Sequence, residues 1–141
     1  MSVDDCLNML NKKSGVLAIS EKSSDFRDLE AGRDEGDEKC ILALEKFFYE
    51  VAKYIGAYAA ALNGIDVLTF TAGVGENGPE TRQAICDYLG FMGVKIDAEA
   101  NKVRGKEALI STPDSAVQVW VVPTNEELMI AQDTAALVKN A

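Results

Sequence analysis

The longest hydrophobic pattern in the chain lies between residues 41 and 62, where apolar side chains recur every three or four positions. This spacing predicts one amphipathic helix with a broad buried face. Asn63-Gly64 is expected to end it, because glycine readily adopts the left-handed conformation. Such a stripe most often faces a hydrophobic core, and a dimer seam is the alternative. The predicted stripe is Ile41, Leu44, Phe48, Val51, Ile55, Tyr58 and Leu62, widened by Phe47, Tyr54 and Ala61.

The segments before this helix are shorter. Residues 3–10 predict a helix with Leu7 and Leu10 on one side and Ser2 as its N-cap. The apolar run 16–19 is predicted to be extended. In the polar stretch that follows, Ser24 can cap a helix of one or two turns over residues 25–30, and the rest of that stretch is predicted to be loop.

The second half alternates between strand and helix patterns. Residues 66–71 (DVLTFT) are short, nearly all apolar and rich in β-formers, which predicts a buried strand. A helix is predicted over 79–89, with Pro79 at the first helical position after Gly78. A short strand is predicted at 94–96, followed by a short helix over 97–104 that is capped by Asp97. Two more strands are predicted at 108–111 and 117–122, joined by a TPDS turn. The last predicted element is a helix from Thr124 to about 138. This alternation predicts one α/β domain over residues 1–141.

Composition excludes several functions. The 48% hydrophobic and 26% charged fractions are typical of a soluble globular protein, and no apolar run is long enough to span a membrane. The net charge of −9 comes without a basic stripe, which argues against nucleic-acid binding. Because the chain has no histidine, it cannot supply Ser-His-Asp or Cys-His catalysis or His-ligated zinc. The start lacks the segments of a signal peptide, and three scattered cysteines fit a reducing cytoplasm.

The stretch TFTAGVGENGPETRQ, residues 69–83, matches G-x-G-x-x-G between a predicted strand and a predicted helix. Glycines there permit positive φ and close approach of a ligand, and the backbone amides of such a turn can bind an anion. In a dinucleotide fingerprint the helix begins near the second glycine, whereas Pro79 favours a later start here. Asp97 nevertheless lies about 20 residues on, where a ribose-binding acid is expected. Three interpretations remain open: a structural turn in an interaction domain, a nucleotide phosphate site, and an NAD-binding Rossmann module.

Five segments together resemble the C-terminal part of the acetate kinase family. They occur in the family's order and span nearly the whole chain. They are LNKKSGVLAIS (10–20), SSDFRDLEAG (23–32), FTAGVGEN (70–77), STPDS (111–115) and PTNEELMIAQDT (123–134).

The resemblance implies a fold class and a reaction. The fold is the nucleotide-binding C-terminal lobe of a sugar kinase/actin/Hsp70-like (ribonuclease H-like) α/β protein, with a mixed sheet and flanking helices. The reaction is reversible phosphoryl transfer between ATP and acetate, giving ADP and acetyl phosphate, with Mg²⁺, in a cytoplasmic homodimer. The acetate pocket and the catalytic residues are expected in an N-terminal lobe outside this chain, so no catalytic residue is assigned here and the chain alone is expected to be inactive. The residues present do not distinguish acetate from propionate or butyrate.

The resemblance also implies residue roles on the nucleotide side. The nucleotide loop is Gly73, Val74, Gly75, Glu76 and Asn77. A second nucleotide-contacting segment is Asp25, Phe26 and Arg27, which composition alone would assign to a solvated surface.

Glu126 matches the family's magnesium position. One carboxylate plus phosphate oxygens is a normal Mg²⁺ site. Thr124 and Glu127 form a T-x-x-E pattern, which predicts a capping box and gives Glu127 a structural role.

Overall fold

The computed structural model describes residues 1–139. Within this range the chain forms seven α-helices, two short 3₁₀-helices and three short strands. The chain packs as two compact units. The first comprises residues 1–65 and 84–91, and the second comprises residues 66–83 together with the chain from residue 92 onward.

The first unit is helical. Its helices are α1 (Val3–Lys12), α2 (Gly15–Ser20), α3 (Phe26–Asp34) and α4 (Glu38–Ala61). Ser2 caps α1 as predicted, in a capping box with Asp5. The prediction of an extended segment at 16–19 is wrong. Gly15 takes a φ of 64°, which turns the chain from α1 directly into α2, and Val16 and Ile19 then lie one helical turn apart on the side that packs against α4.

The N-cap of α3 is Asp25, not Ser24 as predicted. The Asp25 carboxylate accepts a hydrogen bond from the Arg27 backbone N–H at 2.9 Å. The helix also continues beyond the predicted 25–30 to Asp34, and among these later residues Gly32 is buried. A Cβ atom on Gly32 would lie 2.5 Å from the Cys40 Sγ, so glycine is what lets these two helices approach closely.

α4 has the predicted length but not the predicted buried face. Its buried residues are Cys40, Ala43, Leu44, Phe48, Ala52 and Ala59. At the other end of the predicted stripe, Tyr54, Tyr58 and Leu62 are 65%, 66% and 69% exposed. α3 contacts α4 at Cys40 and Phe47, and Phe48 is the last large apolar residue of α4 that is buried.

The end of α4 agrees with the Asn63-Gly64 prediction. Asn63 itself has a φ of 59°, and Gly64 has a φ of 117°. The Gly64 N–H donates to the Ala59 carbonyl at 2.8 Å, which satisfies one of the last carbonyls of the helix.

The second unit contains a mixed three-stranded sheet, β1 (Val67–Phe70), β2 (Ala108–Leu109) and β3 (Gln118–Val121), in the order β1-β3-β2. β1 runs parallel to β3, and β2 pairs antiparallel to it through the predicted TPDS turn. β3 is central, with Val119 and Val121 fully buried. β1 lies at an edge of this sheet and Val67 is 50% exposed, so the prediction of a buried strand is wrong. Residues 94–96 form only an isolated bridge, from Ile96 to Ser111.

The other helices are α5 (Ala72–Asn77), α6 (Pro79–Asp87) and α7 (Glu126–Lys139), with 3₁₀-helices at Gly90–Met92 and Ala100–Lys102. α6 begins at Pro79 as predicted and ends two residues earlier than predicted. The short helix expected over 97–104 is only the 3₁₀ turn. Asp97 precedes that turn, and its carboxylate accepts from the Glu99 and Ala100 N–H groups at 2.9 and 3.0 Å. None of the helices in residues 1–139 combines the length and apolar content of a membrane span.

Candidate functional site

The glycine segment forms the short helix α5 directly after β1, and its glycines provide space rather than unusual dihedral angles. The residue with positive φ at this junction is Ala72, at 59°, and Gly73 and Gly75 do not use the positive φ that glycine permits. A Cβ atom on Gly75 would lie 3.3 Å from the Phe70 carbonyl carbon. A Cβ atom on Gly73 would meet nothing within 4 Å. Gly75 therefore lets α5 pack against the end of β1, and the exposed Gly73 leaves open backbone that a ligand can approach.

A buried arginine that the sequence reasoning missed holds the end of this segment. Arg82 in α6 is fully buried. Its guanidinium donates to the Gly75 and Glu76 carbonyls at 2.8 and 3.1 Å. It also donates to the Asn101 side-chain and main-chain oxygens at 2.8 and 2.5 Å and to the Val103 carbonyl at 2.7 Å. A guanidinium group is planar, permanently charged and carries several N–H donors, so it can bind such a set of fixed acceptors at once. Arg82 thus joins the glycine segment to residues 101–103.

One sequence signal could have identified Arg82. It lies at helical spacing from Ile85, Cys86 and Leu89, all of them apolar and all buried. A lone charge on an otherwise apolar helical face is expected to be buried only when it is well paired.

Glu76 contacts the residue that precedes α7 by two positions. Its Oε1 accepts hydrogen bonds from the Thr124 backbone N–H at 2.7 Å and from the Thr124 hydroxyl at 2.9 Å. These two bonds lower the pKa of Glu76 below its ordinary value. The start of α7 is therefore joined to α5, although 48 residues separate Glu76 from Thr124 in the chain.

The predicted capping box at the start of α7 is wrong, because the helix begins one residue later than a Thr124 cap requires. The cap is Asn125, whose Oδ1 accepts from the Leu128 N–H at 3.1 Å. Glu126 and Glu127 are then the first and second helical residues, whereas the glutamate of a capping box occupies the third. Glu127 loses its assigned structural role, and Glu126 is an exposed carboxylate on the first turn.

Asn77 is the last residue of α5, and both its side-chain amide and its main-chain carbonyl have hydrogen-bond partners. Its Nδ2 donates to the Gly73 carbonyl at 3.1 Å, and its main-chain carbonyl accepts from the Arg104 guanidinium. Val74, which lies between Gly73 and Asn77 in the sequence, is half-buried. The predicted loop is thus an ordered helical turn, closed by its own side chains.

The segment Asp25-Phe26-Arg27 lies in the first unit. Arg27 donates from Nε and Nη2 to the two Asp25 carboxylate oxygens at 3.0 and 2.6 Å, and this pairing lowers the pKa of Asp25 to about 2. The Arg27 side chain is 87% exposed. Phe26 stacks edge-on against Phe47, with ring centroids 4.7 Å apart. It lines an apolar cleft of about 380 Å³ together with Val16, Ile19 and Phe47.

The structure brings together part of the predicted site. Within the second unit, the glycine segment and the first turn of α7 are joined through Glu76 and Thr124, so Gly73 and Glu126 belong to one connected arrangement. Asp25, Phe26 and Arg27 belong to the first unit. Among residues 1–139, no group of three or more His, Cys, Asp or Glu side chains is placed to hold a metal ion. The chemistry at Glu126 is that of a single carboxylate, which suits Mg²⁺ when phosphate oxygens and water complete the coordination.

The NAD-binding alternative is not supported by this geometry. In the Rossmann fingerprint the third glycine lies inside the helix that receives the pyrophosphate. Here Gly78 lies between two helices, as the C-cap of α5 and directly before α6, which begins at Pro79.

Solved structures of kinases are similar to this chain. The acetate kinase of Porphyromonas gingivalis superimposes with a TM-score of 0.90 and 47% identity, over 98% of this chain and 35% of that chain. The acetate kinase of Entamoeba histolytica superimposes with a TM-score of 0.89 and 37% identity, over 95% of this chain and 36% of that chain. A propionate kinase from Francisella tularensis subsp. tularensis SCHU S4 superimposes with a TM-score of 0.85 and 39% identity, over 94% of this chain and 33% of that chain. These neighbours confirm the expected fold class, a mixed α/β fold of the sugar kinase/actin/Hsp70-like type.

Sequence comparison identifies one family within this fold class. The model of the acetokinase family matches residues 1–132. The acetate kinase of Carboxydothermus hydrogenoformans is 62% identical over 133 residues, which cover 94% of this chain and 33% of the relative. The acetate kinase of Pseudothermotoga lettingae is 56% identical over 138 residues, which cover 98% of this chain and 34% of the relative. The chain belongs to the acetokinase family, and it spans about one third of the length of the relatives it matches.

Proposed function

We propose that this chain supplies the nucleotide side of an acetate kinase, which catalyses ATP + acetate = ADP + acetyl phosphate with Mg²⁺. The observation that carries the proposal is the arrangement in the second unit. The open backbone at Gly73 and the exposed carboxylate of Glu126 are held in one connected structure by Glu76 and Thr124. Membership of the acetokinase family supports the same assignment.

Each predicted residue has a role on the nucleotide side. The backbone of Gly73, Val74 and Gly75 lies against the nucleotide, and Asn77 closes the helical turn that presents it. Glu126 would hold a magnesium ion, which would supply charge neutralisation for the nucleotide phosphates. Asp25, Phe26 and Arg27 provide a second nucleotide contact, with the exposed Arg27 guanidinium available to stack on a base or bind phosphate.

The acid substrate and the transfer step depend on the part of the family's chain that this sequence does not match. We assign no catalytic residue to residues 1–141, and we place acetate, acetyl phosphate and the charge-stabilising cations in that other part. We further propose a cytoplasmic homodimer, as the family resemblance implies. A second candidate is a kinase for another short-chain acid, propionate or butyrate, because a propionate kinase superimposes with a TM-score of 0.85.

The metal assignment is tested by replacing the two adjacent glutamates of α7. We expect the purified chain to bind ADP by calorimetry with an affinity that rises with Mg²⁺. Glu126→Gln should raise the Mg²⁺ concentration for half-maximal binding by about fivefold or more, because a neutral amide is a poor ligand for a hard cation. Glu127→Gln is the matched control and should behave as the wild type. No ADP binding by the wild-type chain, or equal shifts in the two variants, would contradict the proposal.

The role of the first unit is tested separately at Arg27. We expect Arg27→Ala to weaken ADP binding by about fivefold or more, since a charge-assisted or stacked contact is lost. Arg33→Ala is the control, because Arg33 lies on the same helix and pairs with its own neighbour Asp34. If both variants bind ADP as the wild type does, Asp25 and Arg27 form only a solvated ion pair.

A further inference from the structure

We infer that Glu76 is a positioning residue that couples the nucleotide segment to the metal-bearing first turn of α7. The inference rests on the proposed function and gives Glu76 a positioning role in place of the nucleotide contact that the family resemblance implies. Its Oε1 is instead shared by two donors of Thr124, the backbone N–H at 2.7 Å and the hydroxyl at 2.9 Å.

One end of this link is firmly anchored. The Glu76 main-chain carbonyl accepts from the buried Arg82 guanidinium at 3.1 Å and from the Gly105 N–H at 3.2 Å. Arg82 also fixes the preceding Gly75 carbonyl. The backbone from which the Glu76 side chain extends is therefore held by hydrogen bonds from Arg82 and Gly105, and its carboxylate starts from a defined position.

The other end of the link lies just outside α7. β3 ends at Val121, and the Val122 N–H donates to the Phe70 carbonyl at 2.9 Å, which holds the chain as it leaves the sheet. Asn125 caps the helix, so Thr124 is not needed as the cap, and its N–H and hydroxyl are both donated to Glu76. Thr124 stands two residues before Glu126, and its position decides where the first turn of α7 begins.

The link matters because α7 has little else to position it within the chain. None of its residues 126–139 is buried, and its apolar side chains are exposed, Ile130 at 66% and Leu137 at 73%. Packing therefore does not fix the first turn among the described residues, whereas the two hydrogen bonds from Thr124 do. The Glu76–Thr124 contact sets the separation between the backbone at Gly73 and the carboxylate of Glu126, which is the separation that a metal-bridged nucleotide must fit.

This coupling predicts a specific defect. Breaking the contact should impair Mg²⁺-dependent ADP binding while leaving binding of metal-free ADP almost unchanged. We expect Glu76→Ala to raise the Mg²⁺ concentration for half-maximal ADP binding by about fivefold or more, which is the effect of losing one or two hydrogen bonds. The dissociation constant of ADP in EDTA should stay within about twofold of the wild type.

A pair of variants at Thr124 separates positioning from general damage. Thr124→Val keeps the side-chain shape but removes the hydroxyl, and should shift the Mg²⁺ requirement in the same direction by a smaller amount. Thr124→Ser keeps the hydroxyl and should restore the wild-type requirement. Glu99→Ala is the matched glutamate control, since the Glu99 side chain is 82% exposed and pairs with Lys102 of the adjacent 3₁₀ turn.

The outcomes separate this inference from the proposed function. If the wild-type chain does not bind ADP, both are overturned. If the wild type binds with a Mg²⁺ dependence that Glu76→Ala and Thr124→Val leave unchanged, the inference alone is overturned. The same holds if Glu76→Ala weakens metal-free and Mg²⁺-dependent binding equally. Circular dichroism checks folding, and if Glu76→Ala is unfolded, the Thr124 pair decides the question.

Discussion

Replacing Arg82 with lysine is expected to lower the free energy of unfolding by about 3 kcal/mol or more, because buried acceptors lose their donors. The guanidinium reaches carbonyls at Gly75, Glu76 and Val103 and both oxygens of Asn101 from three different nitrogen atoms. A lysine ammonium has one nitrogen and cannot reach the same acceptors. The charge is retained in this variant, so the loss reports geometry rather than charge.

The measurement is urea unfolding followed by circular dichroism, with Arg33→Lys as the matched control. The Arg33 side chain is 32% exposed and pairs with the adjacent Asp34, so its replacement should cost less than about 1 kcal/mol. Equal losses in the two variants would show that the buried network around Arg82 does not hold the second unit together.

Gly75→Val is expected to abolish ADP binding and also to destabilise the fold, by about 1–3 kcal/mol. Sequence reasoning alone predicts only modest harm to folding for this change. The structure requires more, because the Cβ atom would lie 3.3 Å from the Phe70 carbonyl carbon and 3.5 Å from its Cβ. The branched side chain would force α5 away from the end of β1.

Gly73→Ala separates the effect on the ligand from the effect on the fold. A Cβ atom at Gly73 meets nothing within 4 Å, and alanine is favoured over glycine in a helix, so the melting temperature should not fall. ADP binding should still weaken, because the methyl group occupies the space through which the nucleotide approaches the backbone. Wild-type affinity in Gly73→Ala, measured by calorimetry, would show that the nucleotide does not lie against this residue.

Much of the fold could be predicted where the signal is local. The 3.6-residue periodicity and the Asn63-Gly64 stop predicted the extent of α4, Pro79 predicted the start of α6, and the TPDS turn predicted the pairing of β2 with β3. The motifs between residues 10 and 134 predicted the family, which the family model and the solved structures confirm. The roles of Gly73 and Glu126 in binding nucleotide and metal remain predictions.

The errors concern burial, where the deciding neighbour is distant in the chain. Periodicity identified an apolar face on α4 but could not show that Tyr54 and Tyr58 would stay exposed while Ala52 and Ala59 were buried. Likewise, β1 is apolar enough for a central strand, but its place at an edge depends on the order in which three separate segments pair.

The sequence by itself determined α1, α4, α6, the pairing of β2 with β3 and the family, because helix periodicity, proline and glycine act through the nearest few residues. Only the tertiary structure decided which of two capable side chains does each job. Ser24 and Asp25 can both cap a helix, as can Thr124 and Asn125. At α7 the cap is Asn125, and Thr124 instead donates to Glu76, 48 residues away in the chain. The buried place of Arg82 has the same origin, since its acceptors at residues 101 and 103 meet it only after the chain has folded.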